Sequence, residues 1–177
     1  MIKKLLFLFT LFCVSFIGVS QTKNTTFSKI ELIKAAKEIM NSTGTCALIT
    51  QDKNGISRAR TMDPFPPDEN LTVWFGTNTT SRKVAQIKQN NLVTIYYRDN
   101  DDSGYVMLHG KATLVNNPQE KKKYWKETWK SFYPNKKENY TLIKVVPIWM
   151  EIVSPPRNIV GNSETWEPPM LFFKSKK

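Results

Sequence analysis

Chain reversals too tight to hold a crossover helix constrain this sequence more than any other feature. Asp52-Lys53-Asn54-Gly55 separates two β-prone runs, 45–50 and 56–62, and Asn-Gly between such runs marks a hairpin. The polar stretch 99–104 does the same for runs 92–98 and 105–116. Parallel neighbours need a dozen or more linking residues, so these partners must be antiparallel. Asp63-Pro64-Phe65-Pro66-Pro67-Asp68-Glu69-Asn70 can be neither helix nor central strand and is read as a loop. Further strands are predicted over 71–77 and 141–154, the second stopped by Pro155 and Pro156. Helical signals are fewer. Ser28-Lys29-Ile30-Glu31 is a capping box, and Ile30, Ile33, Ala36 or Lys37, and Met40 follow at helical spacing, which predicts a helix over 29–41 ended by Gly44. Other helices are predicted over 81–89 and, carrying Tyr124, Trp125 and Trp129, over 118–131. Six strands with few helices predict a mainly β fold, an antiparallel barrel with peripheral helices at its ends.

The 177 residues have room for one domain, and 40% hydrophobic with 12% aromatic content excludes a disordered chain. Residues 1–20 differ from the rest. Lys3 and Lys4 precede an apolar run, 5–19, and Gly18-Val19-Ser20 offers small residues for a signal peptidase, so cleavage is predicted before Gln21. The run is shorter than the ~20 apolar residues of a membrane span, so no stable membrane anchor is expected. Phe12 before Cys13 does not fit a lipoprotein signal, and no twin-arginine pair is present. An exported, periplasmic chain is therefore predicted, with a linker over 21–27, one domain over 28–154 and a C-terminal extension over 155–177. Cleavage leaves Cys46 as the one cysteine, so no internal disulfide can form and no zinc site can be built with the one histidine. Within Cys46-Ala47-Leu48-Ile49 it reads as a small core residue. The formal charge of +11 falls to +9 without Lys3 and Lys4, and collects at Lys121-Lys122-Lys123, Lys136-Lys137, Lys174, Lys176 and Lys177. Such runs favour anionic ligands, but no nucleic-acid motif accompanies them, and no nucleic-acid partner is expected.

One segment carries chemistry. In Thr77-Asn78-Thr79-Thr80-Ser81-Arg82-Lys83 a strand ends in hydroxyl residues and a helix opens with two cations. That is the wrong sign for a bare helix start, where each cation is unfavourable by about 0.3–1 kcal/mol. Two readings stand side by side. Free amides, hydroxyls and cations would hold a phosphate; alternatively Thr80 or Ser81 caps the helix and both cations extend into solvent.

The string Thr77-Asn78-x-x-Ser81-Arg82-Lys83-x-x-Gln86-Ile87-x-x-Asn90 resembles the FMN-phosphate segment of the pyridoxamine-phosphate-oxidase-like split barrels. Val106-Met107-x-x-Gly110-Lys111-Ala112 is similar to the strand that follows it in that family. Arg58-Ala59-Arg60-Thr61-Met62 resembles the strand whose backbone and arginine face the flavin. Tyr124-Trp125 through Phe132-Tyr133-Pro134 resembles the aromatic segment of the general-stress-protein branch. The likeness covers about residues 28–154. It implies an antiparallel FMN-binding split β-barrel, with Arg82 and Lys83 on the FMN phosphate and Ser81 and Thr77 assisting. It further implies that Phe75, Gly76, Arg60, Thr61 and Met62 line the isoalloxazine ring or ribityl chain. The family's flavin lies between two subunits, which implies a homodimer.

The departures bear on activity. Where vitamin B6 oxidases of the family carry a lysine this chain has Asp63 or its neighbours, and Tyr105 stands for a glutamine. Their C-terminal Arg-x-His element is absent, and Trp166-Glu167-Pro168-Pro169-Met170 stands there instead. The expectation is an FMN-dependent oxidoreductase of unidentified substrate that does not oxidise pyridoxamine phosphate. No side chain stands out as a committed acid or base, which fits chemistry done by a flavin. The alternatives are a non-catalytic flavin-binding or stress-related module and a basic exported protein that meets a polyanion without cofactor. His109 alternates onto one face with Met107 and Lys111, opposite Val106 and Leu108, and reads as structural. Haem ligation, as in some split-barrel relatives, is its alternative role.

Overall fold

The computed structural model describes residues 27–174; the signal segment, and all of the linker but its last residue, lie outside them. Asp52 builds the first hairpin. Its Oδ1 accepts from the Asn54 and Ile56 amides at 3.0 and 3.1 Å, its Oδ2 from Arg58 Nε at 2.9 Å, and Gly55 takes the positive φ of +76° that the turn requires. The turn sets the register of β1 (Cys46–Gln51) against β2 (Ser57–Met62), with Leu48 opposite Arg60 and Cys46 opposite Met62. Beyond β3 (Val73–Asn78) and α2 (Arg82–Gln89), β4 (Leu92–Arg98) and β5 (Tyr105–Val115) form the second hairpin, and β6 (Tyr140–Val153) pairs along the whole of β5. Every pair is antiparallel.

The sheet has seven strands in the order β2-β1-β4-β5-β6-β3, and β7 (Met170–Phe172) shares with β3 the second edge of β6. Three-residue β7 follows Pro168-Pro169 and has no readable pattern of its own. Among the described residues no ladder joins β2 to β3; one isolated bridge, Pro64 to Phe75, crosses between them. The sheet is therefore open at that seam. Of the expected barrel, the structure bears out a mainly antiparallel sheet with few helices, not closure.

Two cores flank the sheet. The larger holds Leu48, Phe75, Ile95, Tyr97, Leu108 and Met150 and is capped by α1 (Lys29–Ser42). The capping box of Ser28 and Glu31 forms as expected, yet the buried stripe of α1 is Leu32, Ala35, Ala36, Ile39 and Met40, and Ile30 is 80% exposed. Four of these residues follow the i, i+3, i+4, i+7 spacing from Leu32, a better amphipathic stripe than one starting at Ile30, which the capped first turn directs to solvent. After Ser154 the chain returns to the domain. Ile159 enters the core, and Arg157 reaches Glu38 and Asp99 at 3.1 Å each. No helix of the described residues is long and apolar enough to cross a membrane.

The second core is aromatic. Trp74, Tyr140 and Leu142 are buried beneath Phe65, Tyr124, Trp125, Trp129 and Tyr133. It accounts for the largest departure from the expected elements. The helix predicted over 118–131 is α3, Pro118–Lys123, followed by a break at Tyr124 (φ −100°, ψ 60°) and one 3-10 turn, Glu127–Trp129. The Tyr140 hydroxyl donates to the Tyr124 carbonyl, which a continuing helix would have offered to the residue 128 amide. The break lets Tyr124 stack on Trp74, at 4.4 Å between centroids and 17° between planes, while Trp125 meets Tyr140 edge-on at 5.2 Å. Short α4 (Lys136–Asn139) then leads into β6.

Trp129 lies directly on Gly76. A Cβ at Gly76 would stand 2.4 Å from Trp129 Cζ3 and 2.6 Å from Tyr140 Cε2, closer than packed carbons tolerate. Gly76→Ala is therefore expected to displace the Trp129 turn, destabilise the fold by about 1–3 kcal/mol and lower the melting temperature by roughly 2–4 °C for each of those kcal/mol. Calorimetry, with tryptophan emission as a local reporter, measures both.

Candidate functional site

At the open seam the end of β3 turns into α2. Asn78 shapes the turn: its Oδ1 accepts from the Thr80 amide and hydroxyl at 2.9 and 2.8 Å, and its carbonyl accepts from the Ser81 amide at 3.1 Å. Ser81 occupies the N-cap of α2 but makes no side-chain capping bond; its Oγ lies 3.2 Å from Thr77 Oγ1. Lys83 folds back along the strand end and donates from Nζ to that same Thr77 oxygen at 3.0 Å. Thr77 is buried, Lys83 half-buried and Arg82 exposed. The capped helix with both cations in solvent is thus not what forms: the hydroxyls turn to each other and to Lys83, and the helix start is left uncapped by any side chain.

A third cation comes from β2. Arg60 lies close enough to Arg82 and Lys83 for mutual repulsion to register. Burial, and then the Arg82 charge, hold the Arg60 guanidinium below its ordinary range; burial, and then the Arg60 charge, do the same to the Lys83 ammonium. Among the described residues no carboxylate pairs with any of the three. Half-buried positive charges gathered without a counter-charge are unfavourable in isolation and make a site for an anion.

A cavity of about 340 Å³ opens beside them, bounded by Thr61, Met62, Asp63, Gly76, Thr77, Asn78 and Lys83 and roofed by Trp129, Phe132 and Tyr133. Its lining combines one cation, Lys83, and two threonines with three aromatic rings. Asp63 does not neutralise the cations. Its carboxylate takes Lys126 Nζ at 2.5 Å, and that ammonium also lies over the rings of Phe65 and Trp129, 5.1 and 5.4 Å from their centroids.

The expected residues thus divide. Thr61, Met62, Gly76, Thr77 and Lys83 line the cavity, Ser81 adjoins it through Thr77, and Arg60 and Arg82 supply charge from the seam. Phe75 turns away: its side chain is fully buried in the larger core, and only its backbone borders the seam. The roof of Trp129, Phe132 and Tyr133 was not assigned to the site from sequence; the signal was the density of rings after residue 123 combined with a glycine flat enough to receive one. Elsewhere, Cys46 is buried, and burial first of all pushes its thiol up to about 12, as suits a core cysteine. His109 stacks on Trp149 at 5.3 Å and its Nδ1 lies 3.2 Å from the Thr94 hydroxyl. Tyr105 donates to Glu151 at 2.9 Å; burial, then that carboxylate, raises its phenol to about 12.

Comparisons with known proteins agree with this architecture. Curated protein sequences give no match. Among solved structures, general stress protein 26 from Bacillus anthracis str. Sterne superposes with a TM-score of 0.65 at 22% identity, covering 81% of this chain and 99% of that one. A protein from Clostridium acetobutylicum related to general stress protein 26 of B. subtilis gives 0.67 at 19% identity, covering 82% and 96%. A pyridoxamine 5'-phosphate oxidase-related, FMN binding protein from Nostoc punctiforme PCC 73102 gives 0.59 at 13% identity, covering 85% and 100%. At such identities these likenesses establish the fold. The sequence model of one family, described as Pyridoxamine 5'-phosphate oxidase like, matches residues 31–149, most of the described sheet included, and the chain belongs to that family.

Proposed function

We propose that this protein binds FMN at the seam of a split β-barrel and serves as a flavin-dependent oxidoreductase. The observation that carries the reading is the trio Arg60, Arg82 and Lys83, drawn together with no carboxylate paired to any of them, next to a cavity lined by both threonines and aromatic rings. Arg82 and Lys83 hold the phosphate, helped by Ser81 and Thr77, and Thr61, Met62 and the Gly76 backbone border the ribityl chain and ring. Bound FMN would supply hydride or electron chemistry; the protein's part is to anchor, orient and shield it. Asp63, held by Lys126, stands at the cavity wall, and neither it nor its neighbours supply the lysine of the vitamin B6 oxidases, which supports a substrate other than pyridoxamine phosphate. His109 is engaged by the Trp149 ring and the Thr94 hydroxyl and is not among the residues lining the cavity, which favours a structural role over haem ligation. The Lys3-Lys4 start and its apolar run support export.

Arg82→Ala with Lys83→Ala is expected to leave the apo melting temperature nearly unchanged, because relief of two cations at a helix start, one of them half-buried, offsets the lost Lys83–Thr77 hydrogen bond. The same change should weaken FMN binding by roughly two to four decades, at about 1.5–3 kcal/mol for each charge-assisted contact. Riboflavin, which lacks the phosphate, should bind both proteins alike in fluorescence-quenching titrations. Wild-type FMN affinity in the double variant would move the phosphate elsewhere. Oxidoreductase function is checked by bleaching of the FMN-loaded protein with reduced nicotinamide under anaerobic conditions at a catalytic rate; failure with this and other donors would leave a binding module.

A homodimer is part of the proposal. Leu92, Val146, Trp149 and Phe172 share one face of the sheet through the pairings Leu92–Lys111–Val146 and Trp149–Phe172, and Leu92, Val146 and Phe172 are 43, 45 and 66% exposed. An apolar strip of that kind supports cover by a second copy. Light scattering should give twice the chain mass with or without flavin; a monomer that binds FMN tightly would overturn it.

A further inference from the structure

Three elements converge on Arg60, which comes from outside the string that supplies Arg82 and Lys83. Its Nη1 donates to Thr50 Oγ1 on β1 at 2.9 Å and reaches the Leu48 carbonyl at 3.5 Å, and its Nη2 donates to Gln86 Oε1 on α2 at 3.1 Å. Thr50, 1% exposed, donates in turn to the same Gln86 oxygen at 2.6 Å. Gln86 lies one turn beyond Arg82, so the helix that carries two of the cations also aims the third. The acceptors around the guanidinium are a hydroxyl, a carbonyl and an amide, all neutral. Hydrogen bonds therefore fix its direction without cancelling its charge, and the five N–H donors of an arginine leave some free for a ligand. A half-buried arginine that served only to tie β1, β2 and α2 together would be served as well or better by a carboxylate at position 86.

We propose, building on the FMN-phosphate reading, that Gln86 is a positioning residue: with Thr50 it directs Arg60 onto the ligand's phosphate as a third cation, and its neutrality keeps that charge available. The site is thereby tuned to a phosphomonoester dianion, with Arg60 contributing to the phosphate end.

Gln86→Glu decides the matter, since it puts a carboxylate of the same shape where the amide oxygen now meets Arg60. The apo protein should melt at the same or a higher temperature, because an ion pair replaces a neutral contact. FMN should bind roughly ten- to hundredfold more weakly, as expected for one charge-assisted contact withdrawn, with riboflavin affinity unchanged. Arg60→Met should lose FMN affinity by a similar factor, again sparing riboflavin, and supplies the answer if Gln86→Glu does not fold. Should the wild type prefer FMN over riboflavin while both variants keep that preference, Arg60 and Gln86 are structural and the positioning role is overturned, with the Arg82 and Lys83 site intact. A wild type that shows no preference for FMN over riboflavin overturns the phosphate reading and this inference with it.

Discussion

β6 is the strand on which the other contacts depend. One of its edges is committed to β5 from Leu142 to Val153, and the other is divided between β3 and β7. Its side chains feed both cores, Ile143, Val145, Met150 and Ile152 the larger and Tyr140 and Leu142 the aromatic one. A strand that long must bend to keep both commitments. The bend comes at the register shift between His109 and Gly110, where Pro147, with no amide to donate, faces a residue that has no room for a side chain. A Cβ at Gly110 would come within 2.6 Å of the Val146 carbonyl.

Because β3 is held by β6 and not by β2, the sheet keeps a gap, and the positive charge gathers there. Holding Arg60 and Lys83 near Arg82 opposes the apo fold: burial, and then the charge of a neighbouring cation, disfavours the charged forms of Arg60 and Lys83. The scaffold holds Lys83 by a neutral bond to Thr77 and Arg60 by neutral bonds to Thr50 and Gln86. Stability given up at such a place is the usual mark of a site arranged for something else. The aromatic roof borders the same gap, and Trp129 can approach β3 this closely at Gly76 because no side chain stands there.

Much of this was legible in the chain. The Asn54-Gly55 reversal, the capping box at Ser28 and the breaks at Pro155 and Pro156 act within a few residues, and the elements they bound appear within two residues of expectation. The cations at 82 and 83 were legible as an electrostatic anomaly. Phe75 shows that a likeness fixes the strand and not each side chain: its ring enters the larger core, and only its backbone borders the seam. The broken helix after Lys123 lay beyond local reading, because the bond that ends it comes from a tyrosine sixteen residues on. The grip of Gln86 and Thr50 on Arg60 was hidden for the same reason: it joins β1, β2 and α2, and no spacing records it.

The long reach of β3 also sets an order on assembly. The two hairpins close over a few residues each, whereas β3 must wait for partners 62 to 72 residues further along the chain, from Asn78–Tyr140 to Val73–Val145. Contacts so distant bear the loop-closure entropy of the whole intervening segment and form late. Until then Val73-Trp74-Phe75 is an apolar strand with no ladder on either side, the kind of segment that associates with its own copies at high concentration. α2 hangs from the end of that strand, so Arg82 and Lys83 have no fixed place until β6 arrives. The seam is accordingly among the last parts of the fold to take shape, and any delay in the pairing of β6 leaves the chain exposed where it is most adhesive.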